Sequence, residues 1–193
     1  MVSQGVIVVI SFSLFASLAG LTSCANRRAI SSSPARAPWS QYEREFLLNR
    51  IAHQQAAIEM ARACEQKAVR NELKEFCRML SRTESEEATQ LQDWSNQWYG
   101  VPKKPQTLEN ATQGYRNFLA SVQTSSGPKF EEAFLRALRL HHHEGVSESK
   151  ECQDRADHAE LRNFCARMVR EQEMEIGQAN SWVCDWFRDC VER

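Results

Sequence analysis

Residues 46–98, FLLNRIAHQQAAIEMARACEQKAVRNELKEFCRMLSRTESEEATQLQDWSNQW, return 88 residues later as residues 134–186, FLRALRLHHHEGVSESKECQDRADHAELRNFCARMVREQEMEIGQANSWVCDW. Fourteen of the 53 aligned pairs are identical, against roughly three expected from average composition. The informative identities are Phe46/Phe134, His53/His141, Cys64/Cys152, Cys77/Cys165, Glu87/Glu175, Trp94/Trp182 and Trp98/Trp186. A repeat of this kind sets the architecture, so we expect two similar halves.

Helical periodicity runs through both copies, and no segment alternates between apolar and polar residues with period two. We predict two long helices in each copy and a shorter helix between the copies. The predicted starts are the capping box Ser40-x-x-Glu43, Asn71, Thr107, Pro128 and the capping box Asp157-x-x-Glu160, and the predicted ends lie near Glu65, Tyr99, Gln123, Arg155 and Phe187. The expected fold is therefore all-α, a four-helix bundle of two repeated helical hairpins plus a short connecting helix.

The N-terminus has the features of an export signal. Val6–Leu21 is apolar and uncharged, which is short for a membrane span and typical of a secretory signal. It ends in Leu21-Thr22-Ser23-Cys24, a sequence that looks like a bacterial lipobox, so Cys24 is the predicted lipidation site. The alternative is an uncleaved anchor. We expect a signal peptide over 1–23, a lipidated Cys24 with a flexible tether over 24–39, and anchoring to the cell envelope, facing the periplasm from the outer membrane.

The predicted folded domain covers residues 40–193, with repeat one at about 40–100, a connector at 101–127 and repeat two at about 128–187. The whole chain has a net charge of −1. Because the tether carries three arginines, the folded domain alone has a net charge of about −4. A mildly acidic domain lacks the clustered basic face of a nucleic-acid-binding protein. The membrane, through the lipid anchor, is the partner that the sequence predicts.

Six cysteines remain when Cys24 is set aside, and an even number in an exported chain indicates disulfides. The repeat favours Cys64–Cys77 and Cys152–Cys165, which span 13 residues at matching places, and leaves Cys184–Cys190. Two cysteines six residues apart on one helix are too distant to bridge, so the last helix should end between them. Free buried thiols, or a metal or redox pair, are the alternative.

Four polar residues, identical between the two copies, should lie at one level of the bundle. Counted from the predicted disulfides, Glu87 lies level with His53 and Glu175 level with His141, with Glu84, Gln172 and Glu148 within a turn or two. Buried charge must be paired or coordinated. One interpretation is two hydrogen-bonded His–Glu pairs that fix helix register. The other is a metal site of two histidines and two carboxylates, which zinc or copper accepts.

Other features carry weaker functional hypotheses. His141-His142-His143 could form a surface metal site, although adjacent helical positions point about 100° apart. The tryptophan pairs are interpreted as core residues at the open end of each hairpin. None of the five histidines has a glutamate three residues before it, which argues against the di-iron Glu-x-x-His motif. No nucleophile and base stand at a catalytic spacing, so we expect no enzyme.

Both copies resemble domain-of-unknown-function family 305. Residues 46–61 and 134–145 resemble its opening motif F-x3-M-x2-HH-x2-A-x2-MA, and Gln172, Glu175, Ile176 and Trp182 match the closing motif Q-x2-E-I-x2-M-x2-W. The resemblance implies a ferritin-like bundle, exported or lipid-anchored, and linked to copper or other metals. The metal candidates that it carries over are His53, Met60, His141, His142, Glu87 and Glu175.

Most methionines of the family motif are absent. Their positions hold Arg50, Leu91, Leu138, Glu148 and Ala179, which argues against a methionine-rich copper(I) site. Two functions remain as expectations: a non-enzymatic envelope protein that binds copper or zinc in the bundle core, or a disulfide-stapled structural or protein-interaction module without a metal.

Overall fold

The computed structural model describes residues 39–103, 113–122 and 124–190, which form five helices and their turns. The helices are α1 (Trp39–Lys67), α2 (Asn71–Tyr99), α3 (Gln113–Val122), α4 (Gly127–Arg155) and α5 (Ala159–Phe187). The bounds of α4 and α5 are those of α1 and α2 moved by 88 residues, so the two hairpins predicted from the repeat are confirmed. The lipobox, the tether and the predicted start of the connecting helix lie outside the described residues.

Each hairpin is closed by a disulfide next to its turn. Cys64–Cys77 joins α1 to α2, and Cys152–Cys165 joins α4 to α5, with Cα–Cα distances of 6.0 Å and 6.1 Å. Cys184–Cys190 is also bridged. α5 ends between these two cysteines, where Arg188 has the left-handed conformation (φ 61°) that Gly100 adopts after α2. The three predicted disulfides and the predicted helix end are present.

The capping boxes predicted at Ser40 and Asp157 are wrong. α1 already begins at Trp39, and the residues preceding α2 and α5 make no side-chain capping bond. A glutamate of the opposite repeat caps each helix instead. Glu131 accepts hydrogen bonds from the backbone N–H groups of Val69 and Arg70 at 2.8 Å and 2.7 Å, and Glu43 accepts one from His158 at 2.7 Å. Helix starts leave N–H groups unsatisfied, and here the other hairpin satisfies them.

Aromatic side chains cross between the repeats at both ends of the bundle. Trp94 packs edge-on against Phe164, and Trp182 packs edge-on against Phe76, with centroid distances of 5.4 Å and 5.2 Å. These two contacts are equivalent under the 88-residue shift. The open end of each hairpin therefore packs on the disulfide-closed end of the other, which means that the hairpins run in opposite directions.

Two apolar clusters fill the ends of the bundle, and each draws on both repeats. One contains Met60, Cys64, Leu80, Phe130 and Leu138 among others, and the second contains Phe46, Leu47, Leu91, Phe164 and Met168 among others. Between them the facing helices carry buried polar residues. We call this level the polar layer: Arg50, His53, Gln54, Glu84, Glu87, His141, His142, Gln172 and Glu175.

Helix α3 packs on α4 directly over the polar layer. A Cβ atom at Gly114 would lie 2.6 Å from the backbone nitrogen of His141, so only glycine permits this approach. Tyr115 fixes α3 to α1 by donating a hydrogen bond to Glu59 at 2.6 Å. Within the described residues, no helix combines the length and the apolar character that crossing a membrane requires.

Candidate metal centre

Two histidines, one from each repeat, stack at the centre of the polar layer. The rings of His53 (α1) and His141 (α4) have centroids 3.8 Å apart and planes inclined by 23°. Both side chains are buried, and burial holds the pKa of each imidazole well below its usual range, with a further lowering from His141 at His53 and from His142 at His141. Both rings are therefore neutral at physiological pH, the state in which imidazole binds metals.

Three ligand atoms converge beside this stack. Glu84 of α2 and His142 and Glu175 of α4 and α5 each offer one, and all three atoms lie within 4.8 Å of one another. The Nε2 atom of His142 is 2.9 Å from Glu175 Oε2, at angles that do not form a hydrogen bond. Glu84 Oε2 is buried and makes no hydrogen bond either. Three potential ligand atoms thus lie close together, and those of His142 and Glu84 Oε2 make no hydrogen bond.

The carboxylates of the layer are poorly compensated. Burial, and then the nearby charges of Glu87 and Glu175, raise the pKa of Glu84 well above its usual range. Burial raises the pKa of Glu87 to about 7, although Arg50 opposes the shift. A cation placed among these groups would favour their ionised forms and relieve this repulsion.

Arg50 is the charged residue of α1 within the layer, and its side chain is fully buried. Its guanidinium lies 3.4 Å from Glu148 and 3.7 Å from the sulfur of Met168, while its Nε atom has no hydrogen-bond partner. Burial lowers the pKa of Arg50, against the attraction of Glu148, Glu84 and Glu87. Arginine remains charged under such conditions, so Arg50 gives the layer one permanent positive charge.

Gly145 of α4 makes room for the side chains at this level. A Cβ atom there would lie 2.5 Å from Gln172 Oε1 and 2.9 Å from both Arg50 Nη1 and His53 Nε2. Neither ring nitrogen of His53 and neither amide atom of Gln172 makes a hydrogen bond. Unpartnered buried polar groups are unfavourable, so these residues form a second group in the layer with free hydrogen-bonding capacity.

A groove between α2 and α5 connects the layer to solvent. It has a volume of about 310 Å³ and is lined by Thr83, Glu86, Glu87, Gln90, Arg167 and Glu171. Glu87 belongs both to this groove and to the interior, where it accepts a hydrogen bond from Gln54 at 2.5 Å. Of the residues of the polar layer, Glu87 is the one that lines the groove.

The predicted site residues lie in three different surroundings: the histidine stack, the contacts of Glu87 and Glu175, and an apolar cluster. His53 and His141 meet as expected, but the predicted His53–Glu87 pair does not form, since Gln54 is the partner of Glu87. His142 is the histidine that lies against Glu175. Met60 is fully buried in an apolar cluster that also contains Leu80 and Leu138.

The histidine tract does not form a surface site. His141 and His142 are buried, and His143 alone is exposed. Glu84, which the sequence placed only near the predicted His–Glu level, is one of the three converging groups. Arg50 carried no role in the sequence interpretation. Its signal was its place on the apolar seam of α1, where a charge needs a partner.

The donor set fits a borderline divalent ion. Zinc and copper(II) accept imidazole nitrogen and carboxylate oxygen at about 2.0–2.2 Å, and the three ligand atoms here are one imidazole nitrogen and two carboxylate oxygens. The stacked His53 and His141 lie in the same layer. No thioether or thiolate is among the three converging groups, and those are the donors that copper(I) prefers.

Comparisons with known proteins agree with this fold. A family model described as Domain of unknown function (DUF305) matches residues 43–183. The structure of CopM in the Cu(II)-bound form superposes with a TM-score of 0.66 at 25% identity, covering 75% of this chain and 97% of CopM. CopM in the Cu(I)-bound form gives a TM-score of 0.65 at the same identity and coverage.

A putative secreted DUF305 protein from Streptomyces coelicolor shares the fold. Its TM-score is 0.63 at 19% identity, covering 78% of this chain and 98% of that protein. A search of curated proteins finds no match.

Proposed function

This chain belongs to the DUF305 family, and we propose that it is a non-enzymatic protein of the cell envelope that binds a copper(II) or zinc ion through Glu84, His142 and Glu175. The observation that carries the proposal is the convergence of three buried or partly buried ligand atoms, two of them on side chains whose donor atoms make no hydrogen bond. A bound ion would satisfy these atoms and neutralise the carboxylates.

The relatives favour copper among the candidate ions. CopM is similar to this chain over nearly its whole length and has been solved with Cu(II), Cu(I) and silver. The ligands available here are nitrogen and oxygen, so the oxidised ion is the better match for this chain. The loss of the motif methionines supports the same choice, since Met60 is enclosed in apolar core.

The proposed location is the periplasmic face of the outer membrane. It is supported by the apolar N-terminal segment, by the lipobox at Cys24 and by three disulfides, which persist in oxidising compartments. Lipidation is tested by mass spectrometry of the N-terminal peptide from cells. A Cys24→Ser variant should lose the acyl mass and leave the membrane fraction, and a variant that stays membrane-bound would contradict a lipid anchor.

Metal binding is tested by calorimetric titration of the full chain in detergent, with its disulfides intact, against copper(II) and zinc. We expect binding tighter than about 1 µM that weakens at least about 100-fold in His142→Gln, because a direct ligand counts for more than an outer-shell group. His143→Gln is the matched control, since that neighbouring side chain is exposed. Absence of binding to the natural chain, or equal binding by His142→Gln, would overturn the proposal.

A structural or protein-interaction module without a metal is the second candidate. It is supported by the disulfides and by the glutamate caps, which hold the two hairpins together with protein groups alone. The same titration separates the two candidates, because such a module would bind no ion above the level of the His142→Gln variant.

A further inference from the structure

The converging triad has an equivalent in the other half of the layer. Moved by 88 residues, Glu84, His142 and Glu175 correspond to Gln172, Gln54 and Glu87. Two of the three potential ligands are therefore replaced by amides, and one carboxylate is kept. The replacement of Glu by Gln at position 172 is nearly isosteric, so the second half retains the shape of the first but not its charge.

The contacts of these amides differ from those of the triad. Gln54 donates a hydrogen bond to Glu87, whereas the equivalent His142 approaches Glu175 without one. Gln172 directs its amide oxygen at Gly145, beside Arg50 and His53. A donor already bound to the remaining carboxylate, together with a neutral amide, makes a poor site for copper(II) or zinc, which bind imidazole nitrogen and ionised carboxylate oxygen.

Arg50 adds a third difference between the halves. Its equivalent in repeat two is Leu138, and its ion-pair partner Glu148 corresponds to Met60. Leu138 and Met60 belong to one apolar cluster. The half of the layer that holds the two amides thus contains a resident cation at a place where the other half has hydrocarbon.

We propose that the polar layer holds one ion per chain, because Gln54 and Gln172 remove the ligands of a second site and Arg50 supplies the positive charge that a second ion would bring. This inference rests on the proposed function and specifies its stoichiometry. Gln54 and Gln172 then determine how many ions bind, and the Glu84–His142–Glu175 side determines whether any ion binds.

The stoichiometry of the full chain, with its exposed histidine removed, tests the inference first. Titration with zinc and with copper(II), in a His143→Gln background that removes the exposed histidine, should give one ion per chain. Two ions of similar affinity would overturn the inference and leave the proposed function intact. A chain that binds no ion would overturn the proposed function instead, and with it the premise of the inference.

Restoring the missing ligands tests the mechanism. The variant Gln54→His/Gln172→Glu should bind a second ion, and the additional substitution Arg50→Leu should strengthen that second binding at least tenfold by removing a nearby like charge. Circular dichroism establishes that each variant is folded. A folded triple variant that still binds one ion would overturn the inference.

The reverse substitution guards against a variant that does not fold. Glu84→Gln/His142→Gln gives both halves the amides that the natural chain already accommodates once, so it should fold and bind no ion. If this variant keeps one ion with unchanged affinity, the amides do not disable a site and the inference is wrong.

Discussion

At the two ends of the bundle the repeats make equivalent contacts, whereas at its centre they do not. The ends carry matching disulfides, matching Trp–Phe contacts and matching glutamate caps. At the centre the equivalent positions hold different residues. Arg50 of repeat one corresponds to Leu138 of repeat two, and Gln54 corresponds to His142. Folding requirements act on both halves alike, so they preserve the repeat. Under the proposed function, one ion needs only one set of side chains, which would account for the unequal centre.

The largest expected effect comes from removing the buried charge at the centre. Arg50→Leu should lower the free energy of unfolding of the metal-free protein by about 3–5 kcal/mol, because it takes away the ion-pair partner of Glu148 and the buried positive charge that favours the ionised forms of Glu84 and Glu87. Urea unfolding in the presence of a chelator measures the loss. The control is Arg136→Leu, whose ion pairs with Glu132 and Asp189 are on the surface, with an expected cost below about 1 kcal/mol.

If Arg50→Leu and Arg136→Leu lower the free energy of unfolding equally, the prediction that the buried charge matters more than the surface charge is wrong. The equivalent residue Leu138 is fully buried in an apolar cluster, whereas the guanidinium of Arg50 lies beside Glu148 and Met168.

The ends should respond symmetrically when their disulfides are removed. Cys64→Ala/Cys77→Ala and Cys152→Ala/Cys165→Ala should each cost about 3 kcal/mol, since both close loops of the same length. Thermal and urea unfolding compare the two variants. A difference of more than about 1 kcal/mol between them would show that the ends are not energetically equivalent, despite their matching geometry.

The centre should also give the metal-free protein an unusual dependence on pH. The pKa of Glu87 is raised from 4.5 to about 7, so between these values the folded protein keeps a proton that the unfolded chain has released. The free energy of unfolding should therefore fall as pH rises through this window, by up to about 3 kcal/mol from this group. Glu87→Gln should reduce the slope and raise stability at pH 8.

The neighbouring exposed residue Glu86 provides the control for that experiment. Glu86→Gln should keep the slope of the natural protein, because its side chain is already in solvent. An unchanged slope in Glu87→Gln would mean that this carboxyl is not the group whose burial destabilises the centre at high pH.

The smallest effects are expected at the glutamate caps. Glu43→Gln and Glu131→Gln should each cost about 1–2 kcal/mol near neutral pH, by weakening bonds to a helix start. For Glu43, burial opposes ionisation, but hydrogen bonds from Tyr99 and His158 outweigh it and lower its pKa. Its contribution is thus present above pH 4.5 and lost as pH falls through the lowered pKa.

Urea unfolding from pH 3 to pH 7 measures that loss at the caps. The stability difference between the natural protein and Glu43→Gln should shrink below pH 4.5. A difference that stays constant down to pH 3 would contradict the assignment of an ionised Glu43 as the cap of α5.

Local sequence signals predicted the helices and the disulfides correctly. Contacts between residues far apart in the sequence, such as the helix caps, could not be predicted in this way. Helix ends and disulfides follow from periodicity and from the spacing of the cysteines, so they were accessible from the sequence. The caps were not, because Glu43 and His158 are 115 residues apart and Ser40 offered a plausible local partner. The match of Glu43 with Glu131, three residues before the aligned block, was the available signal.

The polar layer was predicted at the right height but with the wrong partners. A count of residues along a helix fixes height, whereas a shift of one residue turns a side chain by about 100°. That rotation decides that His142, and not its neighbour, lies against Glu175, and that Gln54 lies against Glu87. Listing the unequal pairs of the two copies, beside the equal ones, would have indicated that one half of the layer lacks ligands.

The exchanged caps have a consequence for the origin of the chain. A single hairpin would leave the N–H groups of Val69 and Arg70 exposed or unsatisfied, because the carboxylate that binds them belongs to the other copy. Two separate copies of one such hairpin would have to associate to exchange these caps, and in a symmetric pair every residue would occur twice. Joining both hairpins in one chain makes that association independent of protein concentration. It also lets equivalent positions differ, as His142 and Gln54 do.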